Sequence, residues 1–189
     1  NYSITEADFG VYQTDALLKM LSVLDNDISV DLIKAEDKAI SLDAKDSGAK
    51  VRYMLSDLSV INTPPQLKQI PEFELLLNVD KTFVSKFISG KGALPDTESF
   101  TIVSGDKPEV IIGYSSIATN RVAVPVENQT DNTIDNISFN ANLFKDVLEA
   151  NKECEAAVLE VSSEGLARIT FNVGDYESTY YLVAVQNVN

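Results

Sequence analysis

The sequence predicts an α+β fold built from antiparallel strands with one helix to every four strands. Three observations lead there. An order of strand, helix and three further strands occurs three times, starting near residues 8, 72 and 136. The helices are too few for a doubly wound sheet, so sheet and helices fall on opposite sides. Finally, 189 residues with 44% hydrophobic and 23% charged side chains suffice for a sizeable core.

In the first repeat, Asp8-Phe9-Gly10-Val11-Tyr12 alternates like a strand. Thr14 suits the N-cap of a helix carrying Leu17, Leu18, Leu21 and Leu24 at a spacing near 3.6. Strands follow at Ile28–Ile33, Ala39–Asp43 and Ala49–Leu55, separated by Glu36-Asp37 and Asp46-Ser47-Gly48. Thr63-Pro64-Pro65-Gln66 and Ile70-Pro71 then place three of the six prolines in one short stretch, which predicts extended backbone. That stretch also carries Val60, Ile61, Leu67 and Ile70, more apolar than a free linker requires.

The second repeat opens with a strand at Glu72–Leu77. Asp80 caps a helix with Phe83, Val84, Phe87 and Ile88 on one face, and Gly90, Gly92 and Pro95 end it. Strands follow at Ser99–Ser104, Glu109–Tyr114 and Ala118–Val126, the first pair joined at Gly105-Asp106. An acidic, Asn-rich loop over Glu127–Asp135 leads to the third repeat. Its strand is Ile137–Phe139 and its helix, Ala141–Lys152, carries Leu143, Phe144, Val147 and Leu148. Strands at Ala156–Val161, Leu166–Val173 and Tyr176–Val185 complete it, with turns at Ser163-Glu164-Gly165 and Gly174-Asp175.

Composition removes much of catalytic chemistry. With no histidine and a single cysteine, Cys154, the Ser-His-Asp and Cys-His arrangements and His-ligated or four-cysteine metal sites cannot be built. No disulfide can form within the chain, and no run of eighteen apolar residues occurs. Asp25, Asp27, Ser29, Asp31 and Glu36 fall at calcium-loop spacing, but Val30 stands where that loop requires glycine. Gly90-Lys91-Gly92 lacks the approach of a phosphate loop. Asn128-Gln129-Thr130 and Asn136-Ile137-Ser138 read as loop residues rather than glycosylation acceptors. Cys154, between Glu153 and Glu155, is not an activated thiol. No carboxylate pair stands out as an acid and base. No metal or cofactor is expected.

Fifteen basic and 29 acidic residues give a net charge of −14 and argue against wide nucleic-acid contact. Net charge is a sum over the whole surface, however, and a cleft can carry the opposite sign.

The repeat order resembles the DNA polymerase sliding clamps, the ring-shaped processivity factors. Within that family, Val11-Tyr12-Gln13-Thr14-Asp15-Ala16-Leu17-Leu18-Lys19-Met20-Leu21-Ser22-Val23-Leu24-Asp25-Asn26-Asp27 is similar to the tailed-bacteriophage branch. Proliferating cell nuclear antigen and the bacterial clamp are more distant cousins. The resemblance implies domains of two repeats, antiparallel sheets outside and helices lining a ring. It makes residues 1–56 the C-terminal half of a first domain whose first half lies upstream. Residues 57–71 become the interdomain connector and 72–189 the second domain. The non-Met start agrees with a missing first segment.

The helix charges fit such a ring. Thr14–Leu24 and Ala141–Lys152 each sum to zero, while Lys81–Leu94 holds three lysines and no acid. That leaves −17 for the rest of the chain. Lys19 and Lys86 lie opposite their apolar stripes and Lys145 is also exposed, though beside Asp146 and Glu149. Lys19, Lys81, Lys86, Lys91, Lys145 and Lys152 are therefore the expected phosphate contacts, electrostatic and blind to sequence.

The resemblance also implies a groove for a hydrophobic partner peptide, which maps onto Val60, Ile61, Leu67, Ile70, Tyr181 and Val183. It implies duplex DNA, a DNA polymerase and a clamp loader as partners, a homotrimer as the assembly, and a cytoplasmic location, the host cytoplasm for a viral protein. The competing reading is a structural or interaction protein of a virion or surface with no DNA role. A small-molecule enzyme using carboxylates or tyrosine stands third.

Overall fold

The computed structural model describes residues 7–25, 27–62, 67, 69–117 and 119–185. The chain divides into two compact units, residues 1–67 and 68–189. The division falls inside the stretch expected as a connector, of which residues 63–66 and 68 lie outside the described residues.

The first unit contains helix α1 (Thr14–Leu21) and an antiparallel sheet of β1 (Ser29–Ala35), β2 (Lys38–Lys45) and β3 (Lys50–Met54) in the order β1-β2-β3. A short 3-10 turn, Leu58–Val60, follows, and the Asp57 carboxylate caps it by accepting from Ser59 N. The strand expected over residues 8–12 does not form. Gly10 makes an isolated bridge to Ser56, whose N–H donates to the Gly10 carbonyl at 2.9 Å. Thr14 is the first helical residue rather than the cap; Gln13 occupies the cap position and supplies no side-chain bond. The helix stops at Leu21, but Leu24 still reaches the core with Ala44 and Val51. That core is small because apolar side chains on α1 and β1 point outward, Leu18 being 69% and Val30 55% exposed.

The second unit holds β4 (Leu75–Asp80), α2 (Lys81–Ala93), β5 (Ser99–Val103), β6 (Glu109–Ile112) and β7 (Val122–Pro125). It continues with β8 (Ile137–Asn140), α3 (Ala141–Ala150), β9 (Ala156–Val161), β10 (Leu166–Val173) and β11 (Tyr176–Val183). These are two copies of one repeat that exchange their leading strands. The sheets run β11-β10-β9-β4 and β7-β6-β5-β8, so each leading strand closes the sheet of the other repeat. Leu75 to Asp80 pair with Val161 to Ala156, and Ser99 to Ile102 with Asn140 to Ile137. By the same logic β1 lacks a closing strand among the described residues.

Equivalent caps start the two helices. The Asp80 carboxylate accepts from Phe83 N at 2.7 Å, and the Asn140 side-chain oxygen accepts from Leu143 N at 2.9 Å. Both helices press phenylalanines onto one continuous core that includes Phe87, Phe100, Phe139 and Phe144, all fully buried.

Gly90 and Gly92 do not end α2. Gly90 lies inside it where the helix approaches β7, and a Cβ there would sit 2.8 Å from Val122 Cγ1. The helix ends at Ala93, and Leu94 N donates to the Gly90 and Lys91 carbonyls. The strand expected from residue 118 starts at Val122, with Ala118 outside the described residues. The Asn-rich loop is bound along β4: Gln129 N donates to Leu76 O at 2.8 Å, and Thr130 Oγ1 to Glu74 O at 2.9 Å.

Candidate nucleic-acid interface and partner surface

A cation can serve phosphate only if it is exposed and not committed elsewhere. Lys19 is exposed on α1 of the first unit and enters no ion pair among the described residues. In the second unit, Lys86 is exposed on α2 and borders a cleft of about 520 Å³ with Asn78, Thr82 and the Val122–Glu127 edge. Lys81, at the first turn of α2, pairs with Glu155 across the surface. Such a pair on the surface is weak and exchangeable.

Lys91 corrects the sequence reading. It is 4% exposed, and its ammonium donates to the Pro95 carbonyl at 2.7 Å and more weakly to that of Leu94 at 3.4 Å. The lysine satisfies carbonyls left open by the end of α2 and is not presented to solvent. Lys145 is held by Glu149 one turn along α3 at 2.8 Å, with 29% of its side chain exposed. Lys152 is exposed beyond the end of α3.

The six expected partner-groove residues fall on both units. Val60, Ile61 and Leu67 belong to the first, and Ile70, Tyr181 and Val183 to the second. Val60 and Leu67 are exposed, whereas Ile61 is half-buried and packs on Gly10. Within the first unit, Phe9, Ile40, Met54 and Leu58 give an apolar lining to a groove of about 530 Å³. Lys38 and Asp57 lie on it, paired at 2.9 Å. The Ser59 N–H, with Lys38 behind it, holds the Asp57 carboxyl well below the ordinary carboxylate range.

Within the second unit, Val183 is 72% exposed and Ile70 47%. Tyr181 stands opposite Arg168 in the β10–β11 register. The Arg168 guanidinium lies 4.7 Å above the Phe73 ring and forms a fork to both Glu160 oxygens. Glu160 keeps Arg168 charged beyond the ordinary guanidinium value. Sequence reading missed Phe73 and Arg168. The signal available was an arginine on the more polar face of an alternating strand, with no indication of which ring it would meet.

Among the described residues, no group of three His, Cys, Asp or Glu side chains could hold a metal ion. Ser29 and Asp31 of the calcium-loop spacing are part of β1.

Comparison with solved structures identifies the architecture. Over 90% of its length the chain superposes on Proliferating Cellular Nuclear Antigen from Entamoeba histolytica, with a TM-score of 0.66 and 15% sequence identity. The fold is that of a sliding clamp. The chain spans 69% of that neighbour's length. No protein-family model and no curated protein sequence matches it. At this identity the likeness lies in the path of the backbone, and the second unit shows why that can persist. Its clamp architecture depends on period-2 strands, two capped helices and an apolar middle, which many residue choices supply.

Proposed function

We propose that this chain is a subunit of a sliding clamp of the tailed-bacteriophage type. It would form a closed ring that tethers the replicative DNA polymerase to duplex DNA. The observation that carries the reading is the pair of strand-exchanged repeats, matched to a clamp structure over 90% of the chain. An acid-free helix, α2, in a chain of net charge −14 supports it. The mechanism is topological: the ring slides while escape from the duplex is blocked. A tethered polymerase is thereby kept at high effective concentration near the primer end. No bond is made or broken by the clamp.

The exposed lysines Lys19, Lys81 and Lys86 act on backbone phosphate without reading bases. Exposed apolar positions on each unit, Val60 and Leu67 on the first and Ile70, Tyr181 and Val183 on the second, are offered to partner peptides, and a loader opens the ring in the cytoplasm. Three copies per ring remain part of the reading.

The test is retention on circular against linearised DNA, with loader and ATP, together with native mass. Retention on the circle with loss from free ends is the expected result. Equal binding to both forms would remove the sliding mechanism. A discrete oligomer without DNA binding would favour the structural reading.

A further inference from the structure

The two helices of the second unit do not offer DNA the same surface. Along α2, Thr82, Ser85, Lys86, Ser89 and Gly92 are exposed, and their spacing of three and four residues places them on one stripe. The whole helix, Lys81–Ala93, contains no acidic residue. Its exposed side therefore combines hydroxyl donors with one lysine free of ion pairs among the described residues. Along α3 the exposed residues are Asn142, Leu143, Asp146, Glu149 and Ala150. Its one lysine is taken by Glu149, so a phosphate arriving there meets two carboxylates and an apolar side chain.

We infer that within the second unit the phosphate backbone of duplex DNA is tracked by the α2 stripe alone, and that α3 makes no productive phosphate contact. The inference rests on the clamp reading and assigns its DNA contact to one of two helices that the repeat makes equivalent in position. Charge complementarity is the reason. In a chain of −14, α2 presents Lys86 and three hydroxyls with no acid of its own, Asp80 and Glu127 standing at the border of the Lys86 cleft, whereas the exposed face of α3 itself carries Asp146 and Glu149 and repels an anion. The contact is sparse, which suits a surface that must hold a duplex without stopping its movement. Serine and threonine bind phosphate oxygen by donating hydrogen bonds and release no counterions of their own, so the salt dependence belongs to lysine.

The experiment titrates the full chain with a short fluorescein-labelled duplex of mixed sequence. It is followed by anisotropy over a range of salt and by backbone amide shifts. Lys86→Glu and Ser89→Glu are expected to weaken binding several-fold. Lys86→Ala should lower the salt slope by about 1. Lys145→Ala should leave affinity within about twofold, and the Asp146→Asn, Glu149→Gln pair should leave it unchanged or raise it. Amide shifts should concentrate on Thr82–Ser89. Unfolding midpoints of each variant separate lost contact from lost fold. Equal weakening by the α2 and α3 lysine variants, or shifts shared by both helices, would overturn the inference while leaving the clamp reading intact. Absence of any duplex binding by the unmodified chain at low salt would overturn the inference, whereas the clamp reading falls only if retention on circular DNA with loader and ATP fails.

Discussion

Phe87 of α2 and Phe144 of α3 meet edge to face, with ring centroids 5.0 Å apart and planes at 80°. Both also lie against Phe100 of β5, at 5.3 Å and 4.9 Å. This aromatic cluster is where the two repeats of the second unit join their helices, as the exchanged strands join their sheets. Phe87→Ala should therefore destabilise the second unit by about 3–5 kcal/mol through lost burial and a residual cavity. Phe87→Leu should cost less. Chemical denaturation followed by tyrosine fluorescence measures both; a loss below about 1 kcal/mol for the alanine would mean that the cluster is not the joint.

At Gly90 two effects oppose each other. Alanine would favour the helix by about 1 kcal/mol. Its Cβ, however, would lie 2.8 Å from Val122 Cγ1 and 3.3 Å from Ile112 Cδ1. Valine is stiff at χ1, so the strain of overpacking, about 1–3 kcal/mol, should prevail. Gly90→Ala is expected to lower the unfolding midpoint, and adding Val122→Ala should restore part of the loss. Additivity of the two substitutions would show that they do not share the space.

The helix caps offer a cleaner local test. Asp80→Ala and Asn140→Ala each remove an acceptor for the N–H of the third helical residue, Phe83 and Leu143 respectively. Each should cost about 1 kcal/mol, while glycine at either position should cost only a few tenths. Equal losses for alanine and glycine would shift the explanation from capping to packing.

Acid should loosen both units through particular carboxylates. Asp46 accepts from the backbone N–H groups of Asp25, Gly48 and Ala49, which hold its pKa below the ordinary 3.8. Glu74 accepts from the Ser163 hydroxyl and N–H, and its pKa is lowered from 4.5. Because each folded-state value is depressed, the stabilisation is complete above the ordinary value. It is lost as pH falls through the folded one. Melting midpoints measured from neutral pH downward should fall below about pH 4, less steeply in Asp46→Asn and Glu74→Gln. Unchanged acid profiles in both variants would rule these carboxylates out as the source.

The two units should differ in local stability. Leu24, Ala44 and Val51 form the buried cluster of the first unit, whereas the second holds a continuous cluster from Leu75 to Leu182. Amide hydrogen exchange should accordingly be faster in β1–β3 than in β4, β9 and β10. Equal protection in the two sets would contradict the burial pattern.

Local signals in the sequence located most elements of the second unit. Asp80 before an apolar helix, the positive-φ glycines Gly165 and Gly174, and alternation over Ala156–Val161 and Leu166–Val173 are all written within a few residues. The order of elements likewise disclosed the α+β repeat and, with it, the clamp fold. Exposure of Lys86 agrees with its place off the apolar stripe of Phe83, Val84, Phe87 and Ile88. The expected strand at residues 8–12 failed because alternation describes a strand's faces but provides no neighbour for its edges.

Tertiary structure decided whatever depended on residues distant in the chain. That Leu75 pairs with Val161 and Ser99 with Asn140 is a choice among sheet edges, and no local pattern names the edge. Lys91 looked like a solvated cation until the turn at Leu94 and Pro95 brought carbonyls to its ammonium. Gly90 looked like a stop until Val122 arrived beside it. Arg168 acquired Phe73 and Glu160 only when the strands aligned. The sequence by itself determined which residues could form strands, helices and caps, since period and capping are short-range. Which surfaces those elements would share depended on packing across many tens of residues, where partners are selected by the free energy of the assembled core.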